Sequence, residues 1–385
     1  MSAIGINLPP ATLPANCQLL RQEVRTFVQD ELSSDNFVPA CDSWLIGASP
    51  AFSKKLGARG WLGMTWPKEA GGHGRTALER FVVIEELLQA GAPVACHWVA
   101  DRQSGPNLLR FGSEYLQAKY LPGIVRGECY FAIGMSEPGT GSDLASVKTR
   151  GEKVDGGWLV SGTKVWTSQA HLSHALIILC RTEPLGDDRH AGLSQFVVDP
   201  DSPGVTINPI RLLTGEHHFN EVVLEKVFVP ESQVLGNPGD GWKQVTSELA
   251  LERSGPERFL STYPLMRELV HVLGKHPEIN ECIAIGELTA ELWSLRTLSL
   301  AVAAALGRGE SPDVEAALVK DIGTTFESKV INVVRTLIDL KPSLQAVSTL
   351  NRLAAQATLQ SPGFTLRGGT NEILRGVVAR GLGLR

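Results

Sequence analysis

The stretch Phe131 to Asp143 reads Phe-Ala-Ile-Gly-Met-Ser-Glu-Pro-Gly-Thr-Gly-Ser-Asp, an apolar strand running into a glycine-rich loop studded with hydroxyls. Gly139 and Gly141 carry no Cβ, so the backbone N–H groups there, with the hydroxyls of Ser136 and Ser142, can approach a phosphate or a flat heterocycle closely. The same composition also closes an ordinary polar turn at a strand end. A second stretch, Val160 to Ala170, sets the Trp166 indole beside the hydroxyls of Thr167 and Ser168. That pairing suits a planar ring, covered by the indole and hydrogen-bonded at its edge, and equally suits the core of a hairpin. A third stretch, Leu366 to Arg375, places Gly368 and Gly369 ahead of Thr370 and Asn371 at the start of a short helix. Such an N-terminus takes a phosphate or a thioester, or is simply capped.

One carboxylate stands out. Val245, Leu249, Glu252, Pro256, Phe259 and Tyr263 recur at helical spacing, which puts Glu252 on an otherwise apolar stripe. Desolvation there raises the carboxyl pKa toward the range in which a general base works. The structural alternative is a glutamate at the edge of the stripe, paired with Arg253 or Arg258.

The elements that must position these groups fall into three segments in the order α, β, α. Helical periodicity runs from Asn16 to about Arg126, with Leu20, Val24, Phe27, Val28 and later Phe81, Ile84, Leu87, Leu88 on buried faces, interrupted by an ordered Gly- and Pro-containing loop from Gly60 to Gly74. Short β-rich runs follow from Cys129 to about Leu235, with a hairpin-like pattern around Gly162 and Ile177 to Leu179 as a buried strand. Helical spacing then returns as far as Leu359, and Leu288, Leu292, Leu295, Ser299 and Val302 mark one face of a long helix. The expected class is α+β multidomain, with a helical domain over 1–127, a β domain over 128–236 and a helical domain over 237–385. A length of 385 residues and 43% apolar content suffice for more than one core. The net charge of -5, without a Lys/Arg run, argues against nucleic acid. The scattered cysteines lack metal-site spacing and read as reduced. No N-terminal targeting pattern and no span of about 18 apolar residues appears, so a cytoplasmic protein without membrane insertion is expected.

Together and in this order, Ser136-Glu137-Pro138 through Gly141-Ser142-Asp143, Gly162-Thr163-Lys164 with Trp166, and Gly369-Thr370-Asn371-Glu372 resemble the signature stretches of the acyl-CoA dehydrogenase family. The resemblance spans nearly the whole chain. It implies a middle domain like a β-barrel, a C-terminal helical bundle, and FAD with its ring between the β domain and the C-terminal helices. Carried over residue by residue, the backbone from Phe131 through Ile133 and Met135 to Ser136, with the Ser136 hydroxyl, meets the flavin ring, and Gly141 and Ser142 lie near its phosphate. Trp166, Thr167 and Ser168 cover the ring and hydrogen-bond it, while Thr370 and Glu372 approach from the C-terminal side. Acyl-CoA lies against Ser142, Leu249, Arg253, Gly368 and Gly369.

The implied reaction is α,β-dehydrogenation to the 2-enoyl-CoA. In many members the base immediately precedes the C-terminal Gly-Thr, where this chain has Gly368; long-chain and isovaleryl-type members carry it before an arginine, as in Glu252-Arg253. The Gly368 and Gly369 loop then supplies an N–H to the thioester carbonyl. Two family stretches are missing: Arg-x-x-Phe-Gly between Tyr263 and Pro277, and Gln-x-x-Gly-Gly between Leu337 and Leu359. In the family both contact FAD of a neighbouring subunit, so Arg267 or Lys275 is the substitute phosphate cation, or the partner subunit is a different polypeptide. The partners implied are acyl-CoA, an electron-transferring flavoprotein, and a homotetramer or mixed tetramer. Two other readings stay open: a flavin-binding subunit with little activity alone, and a related flavin monooxygenase or oxidase.

Overall fold

The structure, a computed structural model, describes residues 8–252 and 255–384, without the side chains of residues 248–252. The chain divides into two compact units, one of Met1–Gly47, Arg75–Pro93 and Glu252–Arg385, the other of Ala48–Gly74 and Val94–Leu251. Among the described residues no helix is long and apolar enough to cross a membrane.

The first unit is helical. Its helix Ala77–Gln89 starts at Thr76, whose hydroxyl accepts from Glu79 N–H while the Glu79 carboxylate accepts from Thr76 N–H, so two end donors are satisfied reciprocally. Phe81, Ile84, Leu87 and Leu88 are buried, as are Leu20, Val24, Phe27 and Val28 on helix Ala15–Ser33. Between these helices Glu85 takes Arg21 at 2.7 Å and Arg296 at 2.5 Å, tying in the long helix Ile279–Gly307. That helix buries Leu288, Leu295, Ser299 and Val302 of the expected face, with Leu292 half-buried.

Helix Asp313–Leu337 lies close to the turn Pro256–Arg258: a Cβ on Gly323 would sit 2.3 Å from the Arg258 carbonyl oxygen, so only glycine fits. The expected stripe from Val245 to Tyr263 does not form one helix. Helix Gly241–Glu252 ends there, Gly255 is extended (φ -78, ψ 171), and Pro256 opens a separate turn before helix Tyr263–Leu273. The physical reason is Pro256, whose ring disfavours helical backbone in the preceding residue. Phe259 is still fully buried, but it lies on a different element from Val245.

The second unit is built on an eight-stranded sheet: β1 Phe131–Gly134, β2 Arg150–Val154, β3 Gly157–Ser168, β4 Ala175–Arg181, β5 Leu193–Val198, β6 Val205–Arg211, β7 His217–Pro230 and β8 Val234–Leu235. The order is β6-β7-β3-β2-β4-β5-β8, with β1 parallel to β4. Strand β4 is buried on both faces: Leu176, Ile178 and Cys180 join Trp158, Phe196 and Val222, while Ala175 and Ile177 join Phe131, Val197 and Tyr120 of helix Glu114–Val125. The hairpin expected around Gly162 is absent. Strand β3 runs straight through, and Gly162 (φ 154) is a register shift where a Cβ would lie 2.4 Å from Thr149 Oγ1. The hairpin is β2 with β3, turned at residues 155–156. All the cysteines are free, in keeping with the reduced state expected.

Within the helical unit, Glu327 is fully buried and accepts from Ser261 N–H at 2.8 Å. Burial pushes its carboxyl up to about 7, against the opposing pull of Arg367 and the Ser261 bonds. A raised acid stabilises the fold in its protonated form; that contribution is full below the unfolded value near 4.5 and is lost as pH rises to about 7. Urea unfolding of Glu327→Gln is therefore expected to show a flatter stability profile across that window, with a gain of about 3 kcal/mol over the parent at pH 8. An unchanged profile would mean that Glu327 does not titrate there.

Candidate active site

In the β unit the site is assembled where β1 runs out and β3 bulges. Lys164 on β3 and Val222 on β7 are partners, and the next pair is Thr167 with Asn220, so Val165 and Trp166 together oppose a single residue. Trp166 adopts a left-handed backbone (φ 59), unusual for a bulky residue and a frequent mark of functional strain. The bulge turns the indole outward, 58% exposed, edge-on to Phe219 at 5.8 Å. It also removes Val165 N–H from the ladder, and this group donates to the Ser136 carbonyl at 2.9 Å. Ser136 and Trp166 are thus held side by side.

Beneath them lies a buried ion pair. Lys164, with no exposed surface, donates from Nζ to Glu137 Oε1 at 2.8 Å and to the Met135 carbonyl at 3.1 Å. Glu137 also accepts from Lys148 N–H at 2.7 Å, Thr149 N–H at 2.9 Å and Thr149 Oγ1 at 2.6 Å. Burial pushes the Glu137 carboxyl up, but Lys164 and these donors outweigh it and hold the group below its ordinary range. At Gly134 a Cβ would come within 2.7 Å of Ile178 and 3.1 Å of Lys164, so the glycine ending β1 makes room for the lysine stem.

From this anchor the loop projects as a tight turn in which Glu137 and Thr140 exchange backbone bonds of 2.8 and 3.0 Å. A Cβ on Gly139 or Gly141 would meet nothing within 4 Å. The protein's own packing does not require glycine at either position, so the open cradle suits a group that approaches the backbone from outside. Ser142 is exposed beside it. On the strand, Thr167 Oγ1 is buried without a hydrogen-bond partner, and Asn220 Nδ2 holds the Thr167 carbonyl at 2.9 Å. Asn220 Oδ1 meets His171 at 3.1 Å and His217 at 2.7 Å, and the two rings stack 3.7 Å apart. A flat heterocycle with a phosphate tail fits this set: an indole aimed outward, the partly exposed hydroxyls of Ser136 and Ser168, and an open glycine turn. The Phe131 side chain lies in the core against Tyr120 (5.0 Å), while Ile133 and Met135 are partly buried in neighbouring clusters.

In the helical unit, Gly368 (φ 68) and Gly369 (φ 84) are both left-handed and lead into Thr370, which caps helix Asn371–Gly381 by accepting from Ile373 N–H. Arg367, just before them, grips Asp42 through two bonds of 2.5 and 2.7 Å. The Glu372 carboxyl is held below its usual range by its own backbone N–H and by the Thr370 hydroxyl. Glu252 ends helix Gly241–Glu252, and its side chain, that of Leu249, and Arg253 lie outside the described residues. Phe131, Ile133, Met135, Ser136, Gly141, Ser142, Trp166, Thr167 and Ser168 are thus brought together in the β unit, and Gly368, Gly369, Thr370 and Glu372 in the helical unit. The motifs contain Glu137 and Lys164, but only the folded chain brings them within 2.8 Å as partners; a glutamate and a lysine inside two ligand-type stretches were the available signal. Asn220 left none.

Family models for the N-terminal and middle domains of acyl-CoA dehydrogenases match residues 14–128 and 132–227. The chain is 32% identical over 374 residues to the acyl-CoA dehydrogenase FadE29 of Mycobacterium tuberculosis, covering 94% of each. It is 36% identical over 346 residues to the acyl-CoA dehydrogenase IpdE1 of the same organism, covering 87% of each. Among solved structures, the Tcur3481-Tcur3483 steroid ACAD superposes with a TM-score of 0.84 at 30% identity, covering 97% of this chain and 98% of that one.

Breaking the buried pair from one side leaves an unpaired charge. Lys164→Met and Glu137→Leu are each expected to lose about 3–5 kcal/mol of stability, and the double variant Lys164→Met with Glu137→Leu less than the sum. Chemical denaturation of the three variants checks this, and additive losses would mean that the two residues act independently.

Proposed function

Because the chain belongs to the acyl-CoA dehydrogenase family and is an FAD-dependent oxidoreductase, we propose that it converts an acyl-CoA to the 2-enoyl-CoA with Glu252 as the base. The observation that supports this most is the bulge of β3, which aims Trp166 outward beside Ser136 on a fully buried ion pair. FAD, when bound, supplies the hydride acceptor. Ser136 and Ser168 hydrogen-bond the ring edge, which the fully buried Thr167 has no surface to reach, Trp166 keeps water from its face, and the open Gly139 to Ser142 turn takes the phosphate side.

The α-proton of an unactivated thioester is too weakly acidic for a carboxylate. The amides of Gly368 and Gly369 therefore donate to the thioester carbonyl, favouring charge that develops on its oxygen. The Glu252 carboxylate takes the proton, and Gly368 leaves the alternative position for a base without a carboxylate. An electron-transferring flavoprotein is the proposed acceptor of the electrons, and the cytoplasm the proposed location. Similarity to a steroid ACAD makes a bulky, polycyclic acyl group the first class to assay.

A second reading concerns assembly. The stretch Tyr263 to Pro277 has no Arg-x-x-Phe-Gly, Leu337 to Leu359 has no Gln-x-x-Gly-Gly, and Arg267 and Lys275 are exposed. The similar steroid ACAD is itself a Tcur3481-Tcur3483 pair. A mixed tetramer, in which a different polypeptide completes the FAD site, accounts for both. Protein expressed alone would then be colourless and turn yellow only with its partner, whereas a homotetramer is yellow alone. Rapid reoxidation of the reduced flavin by oxygen would instead indicate an oxidase or monooxygenase.

Glu252→Gln is expected to keep its flavin and lose about 10²–10⁴-fold in the rate of flavin reduction by acyl-CoA. Stopped-flow bleaching of the oxidised flavin band, alongside flavin content, tests it. Reduction at the parental rate would place the base elsewhere, with Glu248 one turn earlier as the next candidate.

A further inference from the structure

Lys320 sits on helix Asp313–Leu337 with its side chain fully buried. Its ammonium donates to the Gly369 carbonyl at 2.7 Å, to Asn371 Oδ1 at 2.7 Å and to the Thr365 carbonyl at 3.3 Å. All three acceptors lie in the short segment that carries Gly368, Gly369 and Thr370. Burying an ammonium is costly, and apolar packing alone would hold two helices together without it. The position of this charge therefore has a consequence for the amides it touches.

A trans peptide is planar, with its C=O and N–H on opposite sides. Lys320 draws the Gly369 carbonyl toward helix Asp313–Leu337, so the Thr370 N–H on the same peptide points away from that helix. Among the described residues no acceptor takes the N–H of Gly368, Gly369 or Thr370. A cation on the carbonyl also polarises the amide and strengthens its N–H as a donor. On the other side of the glycines, the Arg367–Asp42 pair fixes the chain.

We propose that Lys320 is a positioning residue, which aims and strengthens the Thr370 amide and, by fixing the chain at Gly369, holds the amides of Gly368 and Gly369 beside it, toward an electron-rich oxygen. This rests on the reading of that loop as part of the dehydrogenase site. The oxygen belongs either to the acyl thioester or to the flavin nucleotide, and both are recognised by the same donors.

The test uses Lys320→Met, which keeps the length of the side chain and removes the charge, and Asn371→Asp, which keeps the shape and the bond to the ammonium, gives up the amide's donations to the Asp321 carbonyl and Thr324 Oγ1, and sets a carboxylate against the ammonium's field. FAD titration of the apoprotein by flavin fluorescence and stopped-flow reduction of the reconstituted protein are read for each. If the thioester oxygen is the acceptor, the saturating reduction rate falls about 10²–10³-fold while FAD affinity and half-saturation barely move. If a flavin oxygen is the acceptor, FAD binds about 10–100-fold more weakly. Either result in both variants supports the proposal, the effect being smaller in Asn371→Asp. Parental FAD affinity and parental reduction rate in folded variants would overturn it, and should Lys320→Met fail to fold, Asn371→Asp decides by the same two readouts. A parent that acyl-CoA does not reduce would instead count against the dehydrogenase reading, while the FAD titration would still report on Lys320.

Discussion

The Glu137 carboxylate is where the β unit's ligand-facing surface is fixed. Its two oxygens collect the Lys164 ammonium, two backbone N–H groups and the Thr149 hydroxyl, so one side chain joins the loop after β1 to β3 and to the chain entering β2. Burying a carboxylate and an ammonium gives little net stability compared with apolar packing, but removing either partner is severe. The pair therefore acts as a pin. It fixes where the loop leaves the sheet, and so where Ser136 lies relative to the outward-facing Trp166.

The bulge depends on that pin. A left-handed tryptophan costs on the order of 1–3 kcal/mol unless its surroundings impose it. Here they do: Lys164 is anchored on one side, Asn220 holds the Thr167 carbonyl on the other, and the Val165 N–H left over from the ladder is taken by Ser136. The helical unit repeats the logic with different groups. Arg367 to Asp42 and Lys320 to Gly369 clamp a pair of left-handed glycines from both ends. In each unit a buried cation holds backbone carbonyls so that the neighbouring amides and hydroxyls are left for a ligand, an arrangement suited to an enzyme that orients a flavin and polarises a thioester.

Much of the framework was legible in the chain. The buried faces from Leu20 to Val28, Phe81 to Leu88 and Leu288 to Val302 follow from spacing alone, because long amphipathic helices repeat their signal over several turns. Strand β4 was legible from its unbroken apolar run. Strands β2 and β6 were not, since Arg150, Glu152 and Lys153 carry no apolar pattern and the alternation of Val205 and Ile207 with Thr206 and Asn208 is cut short by Pro209. Gly162 looks like a turn because glycine's freedom serves a bulge as well as a hairpin, and only the crowding by Thr149 tells them apart. The stripe through Glu252 reads as one helix because spacing ignores what Pro256 does to the backbone. Lys320 and Asn220 are invisible for a simpler reason: a single polar residue on a helix or strand is ordinarily solvated, and its role appears only when distant segments close over it.

The most direct test of this account is the FAD dissociation constant of Lys164→Met against the parent, measured by fluorescence titration of apoprotein at a temperature where both are folded. If the buried pair sets the geometry of the flavin-facing segment, FAD binds the variant about 10–100-fold more weakly, even though Lys164 itself has no exposed surface with which to touch a ligand. Equal affinity in a folded variant would contradict it, showing that Ser136 and Trp166 keep their placement without the pair.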